Sequence, residues 1–371
     1  MTTMSRLAGV LAATAALVTA AALAAAPATA RPLAAATRPA PATRPAPGLS
    51  WDLLATPTST ASLRGLSVVN PRVVWAGGSE GTILRSVDGG RTVTSVGPPG
   101  TSDLQFRSVH ATSAWHAVAA SIGDTPDAMR VYVTDNGGRT WRMSQQNTLP
   151  TAFYDCMAFT SGRTGYILSD PVDGKFLVLK TTNGGHSWRQ LPSRGMPPAL
   201  AGEAGFAASG TCITANRRGD LLFGTGGVDP GRIFRSTDRG RTWSVTDSPI
   251  AGSATAGVFS LSFGPGRRGV AVGGDFAAPD AAVANAAWTS DLGRTWHAAT
   301  GLGGYRSGSA WLDGWPGGVL AVGTSGSDVS WDGGRTYATF DTGTFNAVDC
   351  VPWACYAAGA EGRMARLVVG R

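Results

Sequence analysis

An eight-residue pattern recurs six times in this chain of 371 residues and limits its fold more than any other feature. One copy is Thr134-Asp-Asn-Gly-Gly-Arg-Thr-Trp141. The third position is always Asp or Asn and falls at Asp88, Asn136, Asn183, Asp238, Asp291 and Asp332. The steps between these positions are 48, 47, 55, 53 and 41 residues, and each step holds four short strand-like runs. Such periods are typical of the blades of a β-propeller.

Each position of this pattern, called the box below, has a structural use. The Asp or Asn side chain can accept hydrogen bonds from its own turn, Gly can adopt a positive φ, and the Ser and Thr hydroxyls close local bonds. The aromatic residue at the eighth position is expected to pack between neighbouring blades, and its tryptophans are Trp141, Trp188, Trp243 and Trp296. A calcium loop would need several carboxylates at alternate positions, which the box lacks. The box therefore predicts a turn that joins the third and fourth strands of a blade.

Composition and the two chain ends complete the fold prediction. The 51 glycines and 22 prolines, with 15% charged residues, favour many short strands over helices. Residues 345–369 supply three strands but no box, while Trp51–Leu54 resembles a strand that follows a box. We therefore predict an all-β chain with a single seven-bladed β-propeller over residues 49–371, closed by the N-terminal strand completing the C-terminal blade.

The first 48 residues have the composition of a targeting segment and a linker. Arg6 precedes an apolar run over residues 7–26, and Ala28-Thr29-Ala30 has the form of a cleavage site. Residues 1–30 are therefore predicted to be a signal peptide, and the Pro/Ala/Thr-rich residues 31–48 a linker. We expect a secreted monomer with no membrane span after cleavage. An uncleaved N-terminal anchor is the alternative.

The formal charge of +7 comes almost entirely from arginine, because Lys175 and Lys180 are the only lysines. The arginines are spread one or two per repeat, whereas a nucleic-acid-binding domain concentrates its charge beside stacking aromatics. No nucleic-acid partner is expected.

Four cysteines in an exported chain suggest two disulfides, for which three connectivities exist. Cys350 and Cys355 flank a short turn, so a Cys350–Cys355 bridge across one hairpin is the simplest choice. Cys156 and Cys212 then pair by elimination, and both belong to the first strands of successive repeats. A reactive thiol is the competing interpretation.

The strand order of a propeller separates two faces. The turns between strands 1 and 2 and between strands 3 and 4 lie on one face with all six boxes. The turns between strands 2 and 3 and between blades lie on the other, around the mouth of the central channel, which is the usual ligand site. The first face is expected to be basic, with Arg72, Arg163, Arg217, Arg218, Arg267 and Arg268, and the second acidic. The candidate ligand-binding residues on the second face are Asp155, Asp170, Asp173, Lys175, Glu203, Asp275, Tyr305 and Arg306.

Other kinds of site lack their sequence patterns. The histidines His110, His116, His186 and His297 are dispersed along the chain, so no metal site is expected. The Gly-rich pieces at 224–227 and 271–275 end strand-like runs and open no helix, so neither a nicotinamide nor a flavin motif is present and no cofactor is expected.

The box resembles the Asp-box, or bacterial neuraminidase repeat, of sialidases, sortilin-type receptors and xyloglucan hydrolases. Five segments, at 155–176, 202–211, 257–263, 269–276 and 304–308, make the chain from about Ser50 most similar to the photosystem II stability/assembly-factor-like propellers. Exported bacterial relatives of that family are often labelled oxidoreductase. The resemblance implies a seven-bladed, WD-repeat/YVTN-like ring that binds or assembles other proteins.

Two functions remain open from the sequence. The first is a secreted binding or assembly module that presents an acidic channel face to an extracellular protein, peptide or glycan. The second is a glycan-active hydrolase that draws its acid and nucleophile from Asp155, Asp170, Asp173, Glu203 and Asp275. The chain has no Arg-Ile-Pro element, which sialidases contain, and residues for one propeller where xyloglucan hydrolases have two. We therefore favour binding over catalysis.

Overall fold

The structure is a computed structural model that describes residues 48–216 and 218–370. The predicted signal peptide, the predicted linker up to residue 47, and Arg217 lie outside the described residues. The described part of the chain folds into seven four-stranded antiparallel sheets, as the box spacing predicts. Its two short 3-10 helices are Pro126–Ala128 and Ser193–Gly195.

The first strand of the chain, β1 (Leu49–Leu54), belongs to the last blade. Blades 1 to 3 contain β2 (Leu63–Asn70), β3 (Val73–Gly78), β4 (Ile83–Ser86) and β5 (Thr94–Ser95); β6 (Gln105–Ala111), β7 (Ala117–Ile122), β8 (Arg130–Thr134) and β9 (Arg142–Gln146); β10 (Tyr154–Phe159), β11 (Gly165–Val172), β12 (Lys175–Thr181) and β13 (Arg189–Gln190). Blades 4 to 6 contain β14 (Ile213–Ala215), β15 (Leu221–Gly224), β16 (Arg232–Ser236) and β17 (Ser244–Asp247); β18 (Ala256–Phe263), β19 (Gly269–Asp275), β20 (Ala286–Thr289) and β21 (His297–Ala298); β22 (Gly308–Trp311), β23 (Val319–Gly323), β24 (Gly326–Ser330) and β25 (Ala338–Asp341). Blade 7 contains β26 (Ala347–Val351), β27 (Ala354–Ala358), β28 (Met364–Val369) and β1.

The ring closes through the N-terminal strand, which confirms the predicted closure. β1 pairs antiparallel with β28, from Leu49 opposite Val369 to Leu54 opposite Met364. The innermost strands contact one another in the order β2, β6, β10, β14, β18, β22 and β26, and β26 contacts β2. Pairing the two ends of the propeller in one sheet satisfies backbone groups that would otherwise lie at open edges.

The hydrophobic core lies between neighbouring sheets. Between blades 3 and 4, for example, Tyr166 and Phe176 pack with Phe223, Phe234 and Trp243 in one buried cluster. Each blade is covered on its faces by the next blade, so the stability of one blade depends on its neighbours.

The box turns have the predicted position and chemistry. In blade 4, Ser236 Oγ donates to Asp238 Oδ1 at 2.9 Å, and the Gly240 N–H donates to Ser236 Oγ at 2.8 Å. The Thr242 N–H donates to the same carboxylate oxygen at 2.9 Å. Burial alone would raise the pKa of Asp238, but the hydrogen bonds from Thr242 and Ser236 outweigh it and lower that pKa to about 2. The box is therefore a self-contained turn.

Box tryptophans also contact other blades. Trp141 of blade 2 donates from Nε1 to the carbonyl oxygen of Val96 in blade 1 at 2.7 Å, and it meets Trp75 edge-on at 6.3 Å. This contact agrees with the predicted role of the aromatic position.

Both predicted disulfides are present. Cys350 and Cys355 are register partners across β26 and β27, and Cys156 of β10 bonds to Cys212, which immediately precedes β14. The second bridge links the inner strands of two adjacent blades. Over residues 48–216 and 218–370, no helix combines the length and the hydropathy that a membrane span needs.

Candidate functional site

A short stretch of the connection between blades 3 and 4 crosses the channel. This channel segment, residues 204–211, is tied to blade 4 by paired backbone bonds between Ala204 and Gly226. Phe206 stacks on Phe259 of blade 5 with ring centroids 4.2 Å apart, and Ser209 Oγ donates to the Ser307 carbonyl, just before blade 6, at 2.6 Å. The segment therefore fills part of the channel.

Two arginines from the innermost strands bind the channel segment from the other side. Arg107 of β6 donates from NH1 to the Ala207 carbonyl at 2.7 Å, and Arg64 of β2 donates from NH1 to the Ala208 carbonyl at 3.2 Å. Gln105 accepts two further bonds from the Arg107 guanidinium. Both guanidinium groups are thereby fixed beside each other.

A pocket of about 300 Å³ opens where these groups meet. Its charged lining residues are Arg64 and Arg107, and its aromatic lining residues are Phe206, Phe259, Phe276 and Tyr305. Tyr305 is buried and meets Phe259 edge-on at 4.8 Å, whereas Phe276 is half exposed and stands at the rim. The pocket combines an apolar wall with two cations at its base.

Both cations are held in a desolvated position. Burial lowers the pKa of Arg64, and burial followed by repulsion from Arg64 lowers the pKa of Arg107 to about 10. Burial raises the pKa of Tyr305 to about 12, so its phenol is neutral. Two adjacent guanidinium groups in such a setting favour a carboxylate or another anion as their ligand.

Two carboxyl groups lie against the channel segment beside this pocket. Asp155 of β10 is fully buried, and burial together with the nearby Asp170 raises its pKa well above the usual range. Burial also raises the pKa of Asp170 to about 6. Asp170 Oδ1 accepts a hydrogen bond from the Gly205 N–H at 2.8 Å, while Asp155 lies against the Cα of the same glycine. Both carboxyl groups are covered by the channel segment.

Glu203 and Arg306 form internal ion pairs. Glu203 Oε1 accepts from Arg232 Nε at 2.9 Å and from Thr225 Oγ1 at 2.6 Å, and Glu203 Oε2 forms a salt bridge with Arg232 NH2. Arg306 Nε donates to Asp328 Oδ2 at 2.5 Å, and both side chains are fully buried. These pairs anchor the loops that precede blades 4 and 6, so neither predicted ligand residue faces a ligand.

The remaining candidates lie in a turn or at the end of a strand. Asp173 stands in the turn between β11 and β12 with φ 51°, and Lys175 Nζ donates to the Ser193 carbonyl at 3.3 Å. Asp275 accepts from the Ala277 N–H at 2.9 Å at the end of β19. None of these contacts brings the three side chains together at one site.

The predicted set therefore does not form one ligand site, and the expected acidic lining is wrong for this pocket. Of the eight residues, only Tyr305 lines it. Arg64 and Arg107, which the sequence did not predict as site residues, lie inside innermost strands and not on the loops of the channel face. The available signal was a charged residue inside an innermost strand, in "LRGLSVV" and "QFRSVHA".

The histidines are dispersed along the chain, but the fold brings His116 and His186 together beside Asp135 on the box face. The other two are packed against aromatic rings. His110 stacks on Phe159 at 4.0 Å, and burial lowers its pKa to about 4, while His297 stacks on Trp288 at 4.6 Å.

Solved structures place this architecture among known propellers. One similar structure is "YCF48 bound to D1 peptide", with a TM-score of 0.61, 14% identity, and coverage of 86% of this chain and 95% of that chain. Another is YCF48 from Cyanidioschyzon merolae, with a TM-score of 0.58, 15% identity, and coverage of 85% and 98%. The fold is that of the YCF48 propellers. This likeness confirms, at the level of the fold, the resemblance to photosystem II assembly-factor-like propellers. No protein-family model matches the chain, and no curated protein matches it.

Proposed function

We propose that this protein is an exported binding module that captures a peptide segment of a protein partner in the pocket at the channel mouth. The observation that carries the proposal is the pairing of Arg64 and Arg107 beneath an aromatic wall. A peptide carboxylate would pair with the guanidinium groups, and the apolar side chain next to it would pack on Phe206 and Phe276. The partner segment is therefore acidic and apolar.

The similar structure of YCF48 with a D1 peptide supports a peptide as the ligand class, because it shows that a propeller of this fold binds one. The pocket revises the chemistry expected from the sequence. An acidic mouth would select a basic partner, whereas Arg64 and Arg107 select an acidic group, either a side chain or a free C-terminus.

Export is supported by two features. The first 30 residues have the composition of a signal peptide, and both pairs of cysteines are oxidised to disulfides. Disulfides persist in oxidising compartments outside the cytosol. We propose that the mature protein is secreted and acts as a monomer.

The hydrolase alternative is not favoured by the position of its carboxyl pair. Asp155 and Asp170 lie close enough to interact electrostatically, but Gly205 of the channel segment contacts both of them. A glycosidic bond must reach both carboxyl groups at once. Release of reducing sugar from a polysaccharide, lost in an Asp155→Asn and Asp170→Asn double variant, would support the hydrolase against the binding module.

A peptide array tests the proposal. Twelve-residue peptides are displayed in matched sets, with free or amidated C-termini and with Asp and Glu or Asn and Gln side chains. Wild-type protein should bind acidic peptides and should not bind the matched peptides in which the carboxylate is replaced by an amide. If amidation of the C-terminus abolishes binding, the terminus is bound; if the Asn and Gln substitutions abolish it, a side chain is bound. The Arg107→Gln variant should bind few of the peptides that wild-type protein binds. Arg72 is an exposed arginine on the box face, so the Arg72→Gln variant should bind as wild type does. Equal binding of acidic and amide peptides would contradict the proposal.

A further inference from the structure

Two histidines and a carboxylate from adjacent blades meet on the box face, on the opposite side from the pocket. His116 Nδ1 lies 2.7 Å from Asp135 Oδ1, and His186 Nε2 lies 3.5 Å from the same oxygen. One ligand atom from each residue falls within 4.8 Å of the other two. The two imidazole rings are 5.7 Å apart and tilted by 47°, so their nitrogens converge from different directions.

These residues are departures from the repeat. The sixth box position is Arg in the other five copies and His186 in blade 3, and the second position carries Asp135 in blade 2 and no other acid elsewhere. The two exceptions stand in neighbouring blades and face each other. His116 comes from the turn between β6 and β7. In that turn Ser113 Oγ accepts bonds from the N–H groups of Trp115 and His116, each at 3.0 Å.

The positions are fixed before any ligand binds. Asp135 and His186 belong to box turns, which are closed by their own hydrogen bonds, such as Gly138 N–H to Thr134 Oγ1 at 3.0 Å and Gly185 N–H to Thr181 Oγ1 at 3.0 Å. His116 is held on a third short turn. A preformed set of ligands lowers the entropy cost of binding.

We propose that His116, Asp135 and His186 form a binding site for Zn²⁺ or a similar divalent transition metal that links blades 2 and 3. Two imidazole nitrogens and one carboxylate oxygen are the donor types that zinc takes, at about 2.0 to 2.2 Å. Tetrahedral ligands at that distance lie about 3.3 Å from one another, between the two separations found here. Three protein ligands leave a fourth position for water, and Asp135 is exposed enough for exchange.

Arg142 competes with the metal. Its NH2 group donates to His186 Nδ1 at 3.1 Å and to the His186 carbonyl at 3.0 Å. When Nδ1 of the neutral His186 ring accepts this bond, the ring proton is on Nε2. A metal bound at Nε2 requires the proton to be on Nδ1, which then can no longer accept. Metal binding therefore breaks the Arg142 bond to Nδ1, and the positive charge of Arg142 repels the cation.

Zinc titration of the purified protein, by calorimetry and by thermal unfolding, tests the site. Wild-type protein should bind one Zn²⁺ per chain and melt at a higher temperature with Zn²⁺, while Mg²⁺, which prefers oxygen ligands, should have no effect. His186→Arg restores the residue found in the other boxes, so it should fold, and it should weaken zinc binding at least about tenfold. His297→Gln is the matched control.

Arg142→Gln supplies an outcome that a purely structural role would not produce. This variant should bind Zn²⁺ about fivefold more tightly. That factor corresponds to the repulsion between two like charges a few ångströms apart in water, which the substitution removes. The proposal is overturned if wild type binds no Zn²⁺, or if His186→Arg and His116→Gln both bind it as tightly as wild type.

Discussion

Arg107 donates a hydrogen bond from its guanidinium NH1 to the carbonyl oxygen of Ala207, at 2.7 Å. Arg107 stands in β6 of blade 2, whereas Ala207 belongs to the channel segment between blades 3 and 4. The bond therefore crosses the channel and places a cation at the base of the pocket. The position of the channel segment and the charge of the pocket depend on each other.

The channel segment packs so closely that Gly205 admits no side chain. A Cβ there would lie 2.6 Å from Asp155 Oδ2 and 2.7 Å from its Cγ. Gly205→Ala should therefore lower the free energy of unfolding by about 1 to 3 kcal/mol, measured by urea denaturation. Combining it with Asp155→Ala should recover part of that loss, because the two changes share one contact.

Gly48→Ala is the control for this prediction, since a Cβ at Gly48 meets nothing within 4 Å. It should leave the free energy of unfolding within about 0.5 kcal/mol of wild type. A Gly205→Ala variant as stable as Gly48→Ala would show that the segment is not packed against Asp155.

Ring closure predicts a large effect from a residue near the start of the propeller. Trp51 of β1 donates from Nε1 to Ser327 Oγ at 3.0 Å and contacts Phe345, with ring centroids 5.3 Å apart. Trp51→Ala should cost about 2 to 4 kcal/mol of unfolding free energy, because it removes an aromatic contact between blades 6 and 7. Thermal and urea unfolding measure the loss.

The neighbouring Leu53 provides the comparison, because its side chain is 62% exposed. Leu53→Ala should be close to neutral, and deletion of residues 49–56 should abolish cooperative unfolding. An unchanged melting temperature after that deletion would be incompatible with closure by β1.

The fold could be predicted from the sequence because the box is a local device. Its hydrogen bonds run between residues two to four positions apart, such as Ser236 to Asp238, so a short pattern specifies the turn wherever it occurs. Six such turns at regular spacing define the blades, and β1 was recognisable by its likeness to a strand after a box. Nothing similar identifies a pocket that the tertiary fold assembles.

The site was predicted poorly because pairing over long distances decides which charges remain free. Glu203 forms an ion pair with Arg232, which is 29 positions away in the chain. Arg306 forms one with Asp328, which is 22 positions away. The sequence shows that these residues lie near the channel mouth but not that each has a partner. Arg64 and Arg107 keep no carboxylate partner among the described salt bridges, and this decides the character of the pocket.

Asp170 should make stability depend on pH. Burial raises its pKa from 3.8 to about 6, so the folded state favours the neutral carboxyl group. The Asp170 carboxyl group therefore contributes to the free energy of unfolding fully below about pH 4, and this contribution is lost as the pH rises through 6. The total loss is about 3 kcal/mol. Asp170→Asn cannot ionise, and its side chain keeps an acceptor for the Gly205 N–H. The free energy of unfolding of this variant, relative to that of wild type, should therefore rise by about 2 to 3 kcal/mol between pH 4 and pH 7.

Urea denaturation at both pH values measures this gain. Asp173→Asn, an exposed change three residues away, should follow the wild-type dependence. If the difference between Asp170→Asn and wild type stays constant from pH 4 to pH 7, the Asp170 carboxyl group is not held in a desolvated site.

The central claim is that Arg64 and Arg107 bind the acidic group of a peptide. Its most direct test is calorimetric titration of an acidic peptide selected on the array into wild type, Arg64→Gln, Arg107→Gln and the control Arg72→Gln, with circular dichroism to confirm that each is folded. Each pocket variant should weaken binding at least about tenfold, as expected when one partner of a desolvated charge pair is removed, and Arg72→Gln should bind as wild type does. Folded Arg64→Gln and Arg107→Gln variants that bind the peptide with wild-type affinity would contradict the claim.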